Sequence, residues 1–143
     1  MKVLNKPFEI CVSGNSMNPF LKEGDILTVQ PIENCDDGSI LVFIHDNEQL
    51  LVHRLLEKRD NKYVCKGDNS FRLEAVSKDK IIGIVVSAHR NGEEVKLSSY
   101  STHLIQLSMA VHRTFSDSGY DIKKTLLSDV YKQYIKLRDS LLY

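Results

Sequence analysis

Two hydrophobic patterns divide the chain near residue 100. Up to about Leu97, short apolar runs alternate with polar clusters that contain Gly, Asn and Asp. Such runs are typical of short antiparallel strands joined by tight turns, and Asn91-Gly92 is itself a hairpin signal. The pattern predicts a mainly β fold, a small curled antiparallel β-domain. Its predicted strands are Phe8 to Val12, Ile26 to Pro31, Ser39 to Ile44, Leu50 to Leu56, Tyr63 to Lys66 and Lys80 to Ala88.

From Ser101 the apolar positions recur with helical spacing, which predicts two C-terminal α-helices. The first carries Leu104, Leu107, Val111 and Phe115 on one face. The second begins at Asp121, a candidate N-cap, and runs to near the C-terminus. Its apolar stripe consists of Leu126, Val130, Tyr134, Leu137 and Leu141. We therefore predict a β-rich domain over 1–99 and a helical extension over 100–143.

The helical extension has two interpretations. Its apolar faces can pack on the β-domain or mediate association with a second copy. Alternatively, apolar faces with basic flanks are typical of helices that lie on a membrane surface. Packing is favoured, because Asp129 and Asp139 reduce the net positive charge of the second helix. The oligomeric state is left open.

Composition narrows the function classes. The chain has 143 residues and a formal net charge of zero, so no global field points to nucleic acid as a partner. Its three cysteines, Cys11, Cys35 and Cys65, are widely spaced and fit neither a zinc site nor a disulfide framework. We expect no metal, no cofactor and a reducing compartment.

No membrane segment is expected from the sequence. No apolar stretch follows Met1 to Pro7 that could serve as a signal peptide. The most apolar runs, Ile40 to Ile44 and Ile81 to Val86, are far shorter than the roughly 20 residues that span a bilayer. These features predict a cytoplasmic protein, with peripheral membrane contact through the C-terminal helices as the alternative.

One serine lies between two turn signals. Ser16 occurs in Ser13-Gly14-Asn15-Ser16-Met17-Asn18-Pro19, which predicts a tight, exposed bend. A hydroxyl is a weak nucleophile and needs a base. His53, in the otherwise apolar run Leu50 to Leu56, is the candidate base, and Asp68 in Lys66-Gly67-Asp68-Asn69-Ser70 offers a carboxylate. Serine, histidine and acid predict peptide-bond hydrolysis. The alternatives are a turn-capping serine and a buried histidine bonded to the backbone.

Four sequence blocks between Val12 and Val86 together resemble the signal peptidase I family, whose fold is shared with the self-cleaving repressor peptidases. They are Gly-x-Ser-Met-x-Pro, Gly-Asp, Val-His-Arg and Lys-Gly-Asp-Asn, in that order. In most of that superfamily the base is lysine. His53 at this position resembles the Ser-His signal peptidases of archaea and the endoplasmic reticulum. The resemblance implies a serine endopeptidase whose substrate is a peptide or precursor protein with a signal- or leader-type segment.

The resemblance also implies roles for individual residues. Ser16 would be the nucleophile and His53 the general base and then the general acid. The acid is open between Glu74, a gap-free carry-over of the triad acid, and Asp68, which would otherwise organise the site. The expected substrate-site residues are Gly14, Asn15 and Met17, and the expected structural supports are Arg54 and Asn69.

Two other functions compete with this interpretation. Several signal peptidases have an oxyanion-hole serine at the position of Gly14, so a non-catalytic peptide-binding module on the same fold is the alternative. A self-cleaving repressor is less favoured, because it would need a DNA-binding module and a scissile linker before Ser16.

Overall fold

The computed structural model describes residues 6–143, apart from the side chain of Asn47. The described chain forms an eight-stranded sheet followed by three helices. The strands are β1 (Phe8–Cys11), β2 (Ile26–Gln30), β3 (Ile40–His45), β4 (Gln49–Arg59), β5 (Lys62–Lys66), β6 (Glu74–Ser77), β7 (Ile81–Arg90) and β8 (Glu93–Val95). The helices are α1 (Thr102–Asp117), α2 (Ile122–Leu127) and α3 (Asp129–Ser140).

The sheet is antiparallel throughout and curled. Its strands lie in the order β1-β2-β7-β3-β4-β5-β6, and β8 pairs with β7. The register shifts at Thr28/Val29 in β2, at Val42/Phe43 in β3 and between Leu55 and Glu57 in β4. Such irregularities bend a strand and increase its local twist, which explains the curvature. The predicted mainly β, curled antiparallel fold is confirmed.

Each of the six predicted strands is present, with ends that differ by a few residues. The hairpin at Asn91-Gly92 is also present, and both residues have the positive φ angles, 55° and 80°, that a tight hairpin turn requires. The strand β6 was not predicted. Its sequence, Glu-Ala-Val-Ser, buries only Val76, so it carries no apolar alternation that could identify it.

The C-terminal segment forms three helices rather than the two predicted. Asp121 caps α2 as expected, because its side chain accepts from Lys124 N–H at 3.0 Å. The helix then ends at Ser128, whose extended backbone and hydroxyl cap begin α3. The break separates Leu126 from the rest of the predicted stripe, and Leu126 is 41% exposed.

The helices pack on the β-rich part of the chain beside the Ser16 bend. Phe20, four residues after Ser16, belongs to a buried cluster with Tyr100, Leu104 and Tyr134. This cluster joins the bend to α1 and α3, so the helices contribute to the position of the bend. Within residues 6–143, none of the helices has both the length and the apolar character needed to cross a bilayer.

Candidate active site

Ser16 lies on a bend that is closed by its own backbone. Asn18 N–H donates to the Asn15 carbonyl at 3.1 Å, and Leu21 N–H donates to the Met17 carbonyl at 3.0 Å. Gly14 has a φ of +81°, a conformation that glycine adopts without steric cost. The bend leaves Ser16 half-buried at the surface.

The structure brings Ser16, His53 and Glu74 together. His53 Nε2 lies 3.1 Å from Ser16 Oγ, and His53 Nδ1 lies 2.6 Å from Glu74 Oε1. A carboxylate can only accept hydrogen bonds, so Nδ1 carries the ring proton and donates a hydrogen bond to Glu74. In the neutral ring Nε2 is then an acceptor that faces the Ser16 hydroxyl. This is the hydrogen-bond order of a serine protease triad.

The side chains of His53 and Glu74 are largely shielded from water. His53 is 5% exposed, and the side chain of Glu74 is 13% exposed. The Phe43 ring packs edge-on against the imidazole, with 6.0 Å between ring centroids. Exclusion of water strengthens the electrostatic interaction between the ring and the carboxylate. Ser16 is half-buried, on the surface bend next to the exposed Gly14 and Asn15.

Asp68 binds a different partner. Arg54 donates from Nε to Asp68 Oδ1 at 3.1 Å and from Nη2 to Oδ2 at 2.6 Å, and both side chains are 1% exposed. Arg54 Nη1 also donates to the carbonyls of Gly38 and Ser98, at 2.9 and 2.7 Å. Burial acts to lower the pKa of Arg54, but the Asp68 carboxylate outweighs it and raises the pKa. Among the described side chains, Glu74 is therefore the carboxylate bonded to His53.

The segment after β5 packs against the Ser16 bend. Asn69 donates its backbone N–H to the Ser16 carbonyl at 2.8 Å and its side-chain Nδ2 to the Asn15 carbonyl at 3.2 Å. Met17 is 2% exposed, and its sulfur accepts from Asp68 N–H at 3.4 Å. Met17 and Asn69 thus connect two loops of the site.

An open cleft of about 490 Å³ lies beside the bend. It is lined by Gly14, Asn15, Asn18, Lys22 and Glu23. The Glu23 carboxylate accepts a hydrogen bond from Gly14 N–H at 3.2 Å, which connects two of the lining residues. Gly14 and Asn15 are exposed here, next to the candidate nucleophile. The described residues contain no group of three or more His, Cys, Asp or Glu side chains that could hold a metal ion.

Gly67 is a site residue that the sequence reasoning did not assign. A Cβ atom at this position would lie 2.6 Å from the Ser16 carbonyl oxygen and 3.1 Å from His53 Nε2. A side chain here would therefore push directly on the candidate nucleophile and base. The sequence signal for this role is a glycine between the polar residues of the Lys-Gly-Asp-Asn block.

We expect Gly67→Ala to lower kcat/KM for peptide cleavage about 100-fold, since a shift of about 1 Å in a reacting group can cost that much. Ser70 Oγ, 2.5 Å from the same Cβ position, can rotate away, but the Ser16 backbone cannot. The double variant Gly67→Ala/Ser70→Ala should therefore be as slow as Gly67→Ala, whereas Ser70→Ala alone should be nearly normal. Wild-type kinetics in Gly67→Ala would contradict the close contact.

Lys66 is a second residue that was not assigned. It is fully buried at the end of β5, where its Nζ donates to the Gly67 carbonyl at 3.2 Å. Nζ also lies 4.8 Å from the centroid of the Tyr134 ring. Burial lowers the pKa of Lys66 to about 7, although the carboxylates of Asp68 and Glu74 act in the opposite direction. A buried lysine with a lowered pKa thus contacts the backbone of Gly67.

Comparisons with known proteins agree with the fold. The Peptidase S24-like family model matches residues 4–86. The chain is also 31% identical over 85 residues to the LexA repressor of Leuconostoc mesenteroides subsp. mesenteroides. That alignment covers 59% of this chain and 40% of the repressor, so the chain spans less than half of this relative's length. These matches support the superfamily that the sequence resembles and do not support signal peptidase I in particular. The chain belongs to the Peptidase S24-like family.

Proposed function

We propose that the chain is a serine endopeptidase in which Ser16 is the nucleophile, His53 the general base and acid, and Glu74 the group that orients the imidazole. One observation carries this proposal. It is the continuous hydrogen-bonded chain from Ser16 Oγ to His53 Nε2, at 3.1 Å, and from His53 Nδ1 to Glu74 Oε1, at 2.6 Å. Membership of a peptidase family supports it independently.

The proposed reaction has two halves. Ser16 Oγ attacks the carbonyl carbon of the scissile peptide bond while its proton moves to His53 Nε2, which forms a tetrahedral oxyanion. The C–N bond then breaks, the proton passes to the leaving amine, and an ester to Ser16 remains. Water attacks that ester and gives its proton to Nε2. The bond from carbon to Oγ breaks, and the proton returns to Ser16.

The oxyanion needs hydrogen-bond donors in place before the reaction. The Ser16 backbone N–H donates to no acceptor among the described residues, so it is free to be the first donor. Gly14 supplies no hydroxyl, and Ser13, Asn15 or a backbone amide of the bend would provide the second. Loss of one such donor typically costs about 10²–10³ in rate.

The proposed substrate is a polypeptide in extended conformation. The cleft lined by Gly14 and Asn15 supports this, because these two residues directly precede Ser16 in the chain and the other lining residues, Asn18, Lys22 and Glu23, carry polar side chains. Such groups can bond to a peptide backbone that lies alongside. A signal- or leader-type precursor is the substrate class that the sequence resemblance suggests.

A second candidate is cleavage within the enzyme's own polypeptide. The similarity to the LexA repressor favours it. The fold that the sequence resembles is shared with the self-cleaving repressor peptidases. The catalytic groups would be the same, and only the source of the scissile bond would differ.

The test is incubation of the purified chain with a library of proteome-derived peptides, with products read by mass spectrometry. We expect new peptide termini with the wild type and none with Ser16→Ala, while replacement of the exposed Ser99 by alanine has no effect. Cleavage of the chain itself, also lost in Ser16→Ala, would favour the second candidate. If both the wild type and Ser16→Ala bind peptides and neither yields a product, the proposed enzyme activity is wrong and a peptide-binding module is favoured.

A further inference from the structure

The last helix of the chain holds one backbone carbonyl of the site. Tyr134 Oη donates to the Asp68 carbonyl oxygen at 2.8 Å, and Arg138 Nη1 donates to the same oxygen at 3.0 Å. Tyr134 is 1% exposed and Arg138 is 7% exposed, so bulk water competes little for either donor. Side chains from α3 therefore occupy both lone pairs of this oxygen.

The held carbonyl belongs to the peptide group that contacts Ser16. Asn69 N–H, which donates to the Ser16 carbonyl at 2.8 Å, lies in the same planar unit as the Asp68 carbonyl. Rotation of that unit moves both groups together. A carbonyl fixed by α3 therefore fixes the direction of the N–H, and hydrogen bonds to the carbonyl also polarise the N–H.

A second layer of contacts stabilises this arrangement. Because the Tyr134 proton goes to Asp68, the 2.9 Å bond between the Tyr100 and Tyr134 hydroxyls has Tyr100 as its donor. Burial raises the pKa of Tyr134 to about 12, so its hydroxyl remains a donor across the neutral range. The Tyr100 ring lies 4.1 Å from Arg54 Cζ, and Arg54 binds the Asp68 carboxylate. Both the backbone and the side chain of Asp68 are thus held.

We propose that Tyr134 and Arg138 are positioning residues for Ser16 and act through the Asp68–Asn69 peptide group. This inference rests on the proposed function and deepens it, since it concerns the same serine. The family match ends at residue 86, whereas α3 begins at Asp129. The two proposed positioning residues therefore lie on a helix outside the matched region.

The kinetic test uses the library peptide that the wild type cleaves fastest. Tyr134→Phe removes one hydroxyl and keeps the ring, and Arg138→Met removes the second donor. Each should lower kcat about 2–10-fold, as expected for one hydrogen bond, with KM nearly unchanged. The matched control is Tyr131→Phe, one turn earlier on α3, where the ring packs on Phe71. This control should keep the wild-type kcat.

A second measurement does not depend on activity. In two-dimensional NMR, the Asn69 amide resonance should shift and exchange faster with solvent in Tyr134→Phe, but not in Tyr131→Phe. An unchanged Asn69 amide would overturn the proposed link. A shifted amide with wild-type kcat in a chain that cleaves peptide would overturn the positioning role. A shifted amide in a chain that cleaves nothing would support the link from α3 to Ser16 and overturn the proposed function.

Discussion

Glu74→Gln is expected to slow peptide cleavage about 10⁴-fold, as loss of the triad acid does in serine proteases. The carboxylate lies 2.6 Å from His53 Nδ1 and can only accept from it. A carboxamide can turn its NH₂ toward Nδ1, which puts the ring proton on Nε2, where Ser16 needs an acceptor. The amide also lacks the charge that stabilises the imidazolium formed during attack. The measurement is kcat/KM on the library peptide that the wild type cleaves fastest.

Two further variants make this result specific. Glu9→Gln, on the exposed face of β1, makes the same chemical change away from the site and should keep the wild-type rate. Glu74→Asp keeps the charge but withdraws the carboxylate by about 1.5 Å, one carbon–carbon bond. It should lose about 10²-fold, as misplacement of a catalytic group does. If Glu74→Gln cleaves at nearly the wild-type rate, catalysis needs only Ser16 and His53.

The acid could not be chosen from the sequence because the deciding strand has no sequence signal. In the structure, Glu74 is the first residue of β6 and pairs with Cys65, which pairs in turn with Leu55. This register brings Glu74 across the sheet to the strand that carries His53. With β6 unpredicted, the sequence favours Glu74 over Asp68 only slightly, through the gap-free carry-over of the triad acid. The catalytic roles themselves stay predictions until the variants are measured.

The strands and turns were predictable because local rules produce them. Alternating apolar runs, Asn91-Gly92 and the Asp121 cap each express a preference that a few neighbouring residues decide. The break at Ser128 also has a local cause, a serine hydroxyl that caps α3. The apolar spacing continues through Ser128 and therefore predicts one helix instead of two.

The contacts of α3 with the site were out of reach of such reasoning. Tyr134 and Arg138 lie 66 and 70 residues from Asp68 in the sequence. Tyr134 belongs to an apolar stripe that any packed helix would show, and Arg138 is one of the basic residues beside that stripe. Which carbonyl they meet depends on tertiary packing around Phe20 and Tyr100. A pattern along the chain can identify a buried face, but not the polar group beneath it.

Lys66→Met is expected to change how stability depends on pH. Burial lowers the pKa of Lys66 from 10.5 to about 7 in the folded chain. In the unfolded chain the lysine titrates near its usual value of about 10.4. Between about pH 7 and pH 10, the unfolded state therefore binds more protons than the folded state. The free energy of unfolding should rise with pH in this window, by up to about 1.4 kcal/mol per unit from this one group. Below pH 7 both states are protonated, and the cost of burying the charge is present in full.

Methionine fills a similar volume and does not titrate, so the variant should lack this rise. We expect Lys66→Met to be the more stable chain at pH 7, and its advantage to shrink by about 3 kcal/mol by pH 10. The measurement is urea unfolding at a series of pH values in the presence of a reductant.

The groups that face this lysine decide how the result is interpreted. Asp68 and Glu74 favour its charged form, and Arg138 disfavours it. Replacement of the exposed Lys80 by methionine removes a positive charge elsewhere and should keep the wild-type slope. Parallel pH curves for the wild type and Lys66→Met would mean that the two carboxylates compensate the buried ammonium in full. In that case Lys66 would stay charged in the folded chain at neutral pH, as a fixed positive charge that interacts with Asp68 and Glu74.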